Sequence, residues 1–349
     1  MKKYSVNPSE YIGDSIFNIK SHYTELQNQT KILYFNYLDK NKSVEEFSKR
    51  VYEIWGNIDH KFMNKQISKL QKILHTKNVE DAINLGRLVG IDETITKQLW
   101  TINDKYFKLI PESDFQKIEK TYMDHVIGSY KESYKIINKP GISKEEYLDY
   151  KLEIYDEEIN QVVAYFNKEG GIQRYVQLSS YLSMLHNVDL TRSGWNQTMA
   201  DAEYLQAETF IIPYHPFSCE YCVQYQNRPL SKYEVEHIIG VEAEEQIGDI
   251  LHPNCKCTLS IYWNRNQIQK DDYNLVQKQE QYETRQKVNS YSLTKNKLEI
   301  DRDIAEKLGY QNKVDRLNKR IEKINKKISI MVNSLPTSSL KKQVEAINR

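Results

Sequence analysis

Apolar and aromatic residues recur at Tyr11, Ile16, Ile19, Tyr23, Leu26, Ile32, Tyr34 and Tyr37. This spacing is close to 3.6 residues and predicts a long first helix. Ser43 with Glu46 has the form of a capping box, in which each side chain covers an orphan N–H of a new helix. The helix it opens carries Phe47, Val51, Ile54 and Trp55, then Phe62, Ile67, Leu70 and Leu74, so residues 8–78 read as two long helices. The pattern continues through 79–137 and stops at the turn Asn138-Lys139-Pro140-Gly141. Ser143 with Glu146 is a second capping box. Its helix is expected to run to about Phe166, where Lys168-Glu169-Gly170-Gly171 breaks it. The chain shows no fixed-period repeat and no low-complexity tract.

Near residue 207 the texture changes. The run Thr209-Phe210-Ile211-Ile212-Pro213-Tyr214 is short, β-rich and closed by turn residues. Cys257-Thr258-Leu259-Ser260-Ile261-Tyr262-Trp263 alternates and ends in aromatics. Both predict strands, and the segment between them has room for only a small core. Further on, Val314, Leu317, Ile321, Ile324, Ile328, Met331 and Leu335 follow 3-4 spacing, an a/d seam ended by Pro336. That seam can pack on the protein's own body, or on a second copy as a short coiled coil. The resulting fold class is mainly α, with a small α+β zinc-knuckle-like unit between long N-terminal helices and a C-terminal amphipathic helical arm. The expected division is a helical scaffold over 1–140, a helical connector over 141–206, the α+β unit over 207–263 and a basic helical arm over 264–349.

Composition supports the helical reading. Only 12 Gly and 8 Pro occur in 349 residues, so long elements can run without breakers. Lys and Arg number 49 against 48 Asp and Glu, which excludes a uniformly basic DNA-coating chain. The balance is uneven along the chain. From residue 264 onward 19 basic residues face 11 acidic ones, against 30 and 37 before it. The arm therefore has the sign to touch nucleic acid or an acidic partner, and Arg316, Lys319, Arg320, Lys323, Lys326 and Lys327 are the candidate contacts. No apolar run suits a signal peptide or a membrane-spanning helix, so no membrane anchor and cytoplasmic synthesis are expected.

All four cysteines lie between Cys219 and Cys257. Cys219 and Cys222 form a C-x-x-C pair, Cys255 and Cys257 a C-x-C pair, and His252 precedes the second. A C-x-x-C turn offers two thiolates to one ion, and alternation along a strand puts sulfurs i and i+2 on one face. Cys219, Cys222, His252, Cys255 and Cys257 are thus five candidates for a four-ligand structural zinc site. Two disulfides, or four thiols that merely pack, are the alternatives. One catalytic reading competes: Glu236-His237 between the cysteine pairs, with Asn254, is placed as in an HNH-type nuclease, but no second histidine follows Cys257. His22, His60, His75, His125 and His186 stand alone and read as surface or satisfied structural histidines.

Four segments carry a family likeness. Arg192-Ser-Gly-Trp-Asn196-Gln197 within 189–201, Ile211 to His215, Tyr225-Gln226-Asn227-Arg228, and His252-Pro-Asn-Cys255-Lys-Cys257 resemble the tailed-phage minor capsid proteins. These comprise the MuF-type head morphogenesis proteins and the related minor capsid protein 2 family. The run Gln277 to Lys287 resembles the glutamine-rich helix that ends many members. Asn227 stands where a Gly is usual, and Lys256 where an Arg is. The resemblance covers about residues 185–290 and makes 207–263 a MuF-like unit. It implies a minor structural protein of the virion, at the capsid interior or portal vertex. Such a protein partners portal or major capsid protein, takes part in head morphogenesis and DNA packaging or ejection, and is not an enzyme. A MuF-like adaptor of a delivered effector is a further reading, disfavoured by the helical arm after Trp263.

Overall fold

Helix α1, Pro8–Asp39, begins on a proline, whose fixed φ suits a first helical turn. It ends as a Schellman-type cap: Asn41 takes φ 53° and the Lys42 N–H reaches the Tyr37 carbonyl at 2.9 Å. Helix α2, Val44–Trp55, opens on the Ser43/Glu46 capping box with both legs formed. The computed structural model describes residues 8–56, 58, 60–84, 106–165, 173–214, 222, 224–236, 255–264 and 273–334.

The second predicted helix is two helices. Gly56 closes α2 by donating to the Tyr52 carbonyl oxygen, and α3 runs His60–Asn84. A Cβ at Gly56 would lie 2.6 Å from that oxygen, so the break sits on the one residue type that fits. Helix α4, Glu112–Ile137, and helix α5, Lys144–Glu158, flank the predicted turn, with Gly141 at φ 85° and Ser143 accepting from the Glu146 N–H. The expectation of a helix to about Phe166 is corrected. The chain leaves α5 at Glu158 and forms an antiparallel hairpin, β1 Gln161–Tyr165 with β2 Gln173–Gln177. The run Gln161-Val-Val-Ala-Tyr165 is β-branched and aromatic, and it outweighs the helical continuation.

Helix α6, Leu178–Tyr204, follows β2 directly and is buried on nearly every face. After it come β3 Thr209–Ile211, β4 Pro229–Ser231 and β5 Ser260–Ile261, a sheet in the order β4-β3-β5 with both pairings antiparallel. Helices α7, Tyr273–Lys307, and α8, Gln311–Asn333, form a closing hairpin. Among the described residues no helix is long and apolar enough to cross a membrane.

Two principal cores result. The larger takes residues from α1 to α6 and from the α7–α8 hairpin. Much of it is tyrosine whose hydroxyl has found a partner: Tyr23 to Glu119, Tyr34 to Ser133, Tyr122 to Asn160. Phe47 stacks on Tyr130 with ring centres 3.9 Å apart. The second core joins Phe107, Trp195, Met199, Phe210, Ile212, Leu230, Leu259 and Ile261 with three cysteines. Because Trp195, Met199 and Ala202 of α6 belong to it, the expected boundary at 206/207 falls inside this core.

The arm lies on the body. Val314, Leu317 and Ile321 are buried in the larger core, and Ile328 and Val332 pack with Val288 of α7. The described part of the a/d seam is therefore filled intramolecularly, the first of the two packings expected for it. Lys31, fully buried, joins the layers: its ammonium meets Asp156 at 2.9 Å and Asp301 of α7 at 2.5 Å.

Candidate metal centre

Cys222, Cys255 and Cys257 converge in the second core, all 2% exposed or less. Their sulfurs lie within 4.8 Å of one another, and the Cys222 and Cys255 sulfurs are 3.8 Å apart. That separation is far longer than a disulfide bond of about 2.05 Å. It matches the edge of a tetrahedron with Zn–S bonds of about 2.3 Å, roughly 3.8 Å. These three cysteines are free thiols, so the disulfide alternative is not adopted among them. Cys219 and His252 lie outside the described residues, as do Glu220, His237 and Asn254.

The scaffold is α6. Asn187 and Thr191 both donate to the Cys255 carbonyl, at 2.9 and 3.1 Å. Trp195 Nε1–H donates to the Cys257 carbonyl at 2.9 Å, and the Thr198 hydroxyl to the Leu259 carbonyl at 3.0 Å. The geometry explains the spacing. Four helical residues advance about 6 Å, and two extended residues about 6.6 Å. A row of donors at 3-4 spacing therefore meets every second carbonyl of the segment leading into β5. With carbonyls 255, 257 and 259 on the helix, the alternation brings the Cys255 and Cys257 sulfurs together.

Other faces of α6 are equally committed. The Asn196 side-chain oxygen accepts from the N–H groups of Tyr106 and Phe107, and its amide donates to the Phe107 carbonyl. Asp189 accepts from the Ile110 N–H at 2.8 Å. Toward α3, Asp201 takes His75 Nδ1 and the Asn78 amide, each at 2.8 Å. A Cβ on Gly194 would lie 2.9 Å from a Leu74 methyl, so the two helices approach closely at that glycine. Hence the segment 189–201 is polar on several sides yet interior.

Cys222 is held by the loop that follows it. The Tyr225 N–H donates to the Cys222 carbonyl, and the Asn227 N–H to the Ile212 carbonyl. Asn227 takes φ 57°, a left-handed conformation that Asn tolerates and Gly favours. At the end of β4, Ser231 and Glu234 cap each other reciprocally, and Glu234 also pairs with Arg228 at 3.0 Å. The Gln226 amide donates to the Cys257 sulfur at 3.3 Å, and the Cys257 N–H to the Cys255 sulfur at 3.4 Å.

Burial disfavours a bare thiolate here. Burial and the neighbouring Cys222 and Cys257 sulfurs push the Cys255 thiol well above its usual range. Three thiolates in such a place are tolerable only around a metal, whose charge reverses the local preference. The buried all-sulfur donor set could hold a metal ion, with a fourth ligand coming from outside the three.

The remaining candidates are dispersed. His75 and His186 are buried structural groups: the first binds Asp201, the second stacks on Phe115. His125 reaches the Glu158 carbonyl. Lys319, Arg320 and Lys323 are exposed on α8. Arg316 lies 3.9 Å from Glu153, Lys326 pairs with Glu322, and Lys327 sits over the Tyr291 ring. A hollow of about 650 Å³ between α5 and the α7–α8 hairpin is lined by acids and bases such as Asp156, Lys297, Lys313 and Arg320, away from the cysteines. The donor row of α6 is what periodicity missed. Its signal is a set of small polar residues and one Trp at 187, 191, 195 and 198, a register without a hydrophobic stripe. In comparisons with known proteins, no family model matches the chain, and neither does any curated protein or solved structure.

Proposed function

We propose that this chain is a minor structural protein of a tailed-phage head, its second core tied by a structural zinc ion. The observation that carries the reading is the buried three-sulfur cluster seated on the α6 donor row. Four of the five segments with the family likeness, 189–201, 211–215, 225–228 and 252–257, contribute described residues to this one construction. The likeness therefore falls on residues that depend on one another physically. Burial of all three sulfurs suits a tie better than a catalyst, which needs a position open to substrate.

Cys222, Cys255 and Cys257 would hold the ion, with Cys219 or His252 as the fourth ligand. Bound zinc supplies folding free energy to a unit whose own apolar core is small. The large helical body supplies surface for portal or capsid protein, and the exposed bases of α8 give the sign needed to contact packaged DNA.

Mass spectrometry of particles purified from the producing host tests this reading. The chain is expected in the particles at a few copies each, and Cys257→Ser should lower its incorporation. Absence from the particles contradicts the reading, and so does metal-dependent nicking of DNA by the purified chain that is lost in His237→Ala.

A further inference from the structure

A zinc ion held by three or four thiolates leaves a buried centre with net negative charge. Water cannot offset that charge where every described sulfur is almost fully covered. The protein must therefore offer donors, and an N–H aimed at a coordinating sulfur draws electron density from it. Among the described residues two such groups are in place. One is the Cys257 backbone N–H on Cys255 Sγ, which any residue but proline supplies at 257. The other is the Gln226 side-chain amide on Cys257 Sγ, which is specific to the glutamine.

Gln226 is built into that position. Its backbone bridges Ile212 at the end of β3, and the residue after it turns through the left-handed region. The side chain is 6% exposed, so its amide works inside the second core and not in water. Glutamine is the economical choice. It reaches from a loop, carries no charge, and stays satisfied as the sulfur changes state: its N–H can face a thiolate, its carbonyl a thiol.

We infer that Gln226 is a positioning residue of the metal centre that stabilises the Cys257 thiolate through an N–H···S hydrogen bond, so slowing metal loss. This rests on the metal reading above, and the two can be separated by one experiment. Full-length wild type, Gln226→Leu and Gln226→Asn are each loaded with Co²⁺ alone and read by absorption. Zinc-loaded samples are then challenged with a chromogenic chelator.

In wild type, an intense sulfur-to-cobalt band is expected. In Gln226→Leu the band should keep its intensity, since the ligands remain, but move to longer wavelength because the sulfur is more electron-rich. Zinc transfer to the chelator should quicken about tenfold, the scale on which outer-sphere partners of metal ligands act. Gln226→Asn keeps the amide but is one methylene too short to reach. It should follow the Leu variant, and it decides the matter if Leu prevents folding. An unchanged band position and release rate in the variants overturn the role of Gln226 alone. No sulfur-to-cobalt band in wild type overturns the metal reading together with it.

Discussion

Asp189 shows how much one buried side chain can set. Burial raises its carboxyl to about 7, against the opposing pull of the Ile110 N–H and Arg192. An unfolded Asp titrates near 4. Between about pH 4 and 7 the folded chain therefore holds a proton the unfolded chain has lost, and this group's contribution falls as pH rises through that window. Asp189→Asn keeps an oxygen for the Ile110 N–H and removes the ionisation. The expected result of urea unfolding at pH 5 and pH 8 is that the variant gains on wild type at the higher pH, on the order of 2–4 kcal/mol. A difference independent of pH would contradict the assignment. Trp195→Phe removes the indole N–H from the Cys257 carbonyl while keeping most of the ring volume. It is expected to cost about 1–3 kcal/mol by the same measurement. Neither role was legible in the sequence. Asp189 and Trp195 sit in a polar-looking stretch, and only their distant partners at 110 and 257 make them interior. The convergence of the cysteines was legible, because C-x-x-C and C-x-C spacing marks them as candidates for one metal site.

At the scale of elements, Lys31 decides how the C-terminal hairpin sits. It bonds Asp156 and Asp301 from a position without solvent, and Lys297 also pairs with Asp156 at 3.1 Å. The two acids answer differently. Asp156, with two lysines, is held below the usual range, whereas burial lifts Asp301 above it. Lys31→Met leaves both carboxylates without their shared cation. It should cost about 3 kcal/mol and speed proteolysis within α7, where an unchanged cleavage rate would contradict the docking role. The bases of α8 make a separate claim. Replacing Lys319, Arg320 and Lys323 by Ser should leave the fold intact and lower the slope of log affinity for DNA against log salt by about 2–3. An unchanged slope excludes these side chains from any DNA contact. The helices themselves were readable from periodicity and caps. Their breaks at Gly56 and Glu158 were not, since one rests on a close backbone approach and the other on strand pairing with residues 173–177. The heptad seam was readable too, but 3-4 spacing cannot say which apolar surface fills it.

For the whole molecule, α6 is the shared wall of two cores. Most of its apolar residues up to Leu190 belong to the core of the long helices, and Trp195, Met199 and Ala202 to the core of the strands and cysteines. The mainly helical architecture followed from few glycines and prolines, while the second core takes residues from both sides of 206/207. A helix that serves two cores shows no composition shift at the place where they meet. Coupling through this helix predicts an ordered response to metal loss: the cysteine core loosens first, while the tyrosine-rich core keeps most of its helicity. Hydrogen exchange with and without chelator would show new exchange in 207–214 and 255–264 but not in α1 or α4. The most direct test of the central claim is the metal content of the purified full-length chain by native mass spectrometry. One zinc per chain is expected, lost in Cys222→Ser, Cys255→Ser or Cys257→Ser. A metal-free chain whose fold and melting temperature are the same with and without chelator would contradict it.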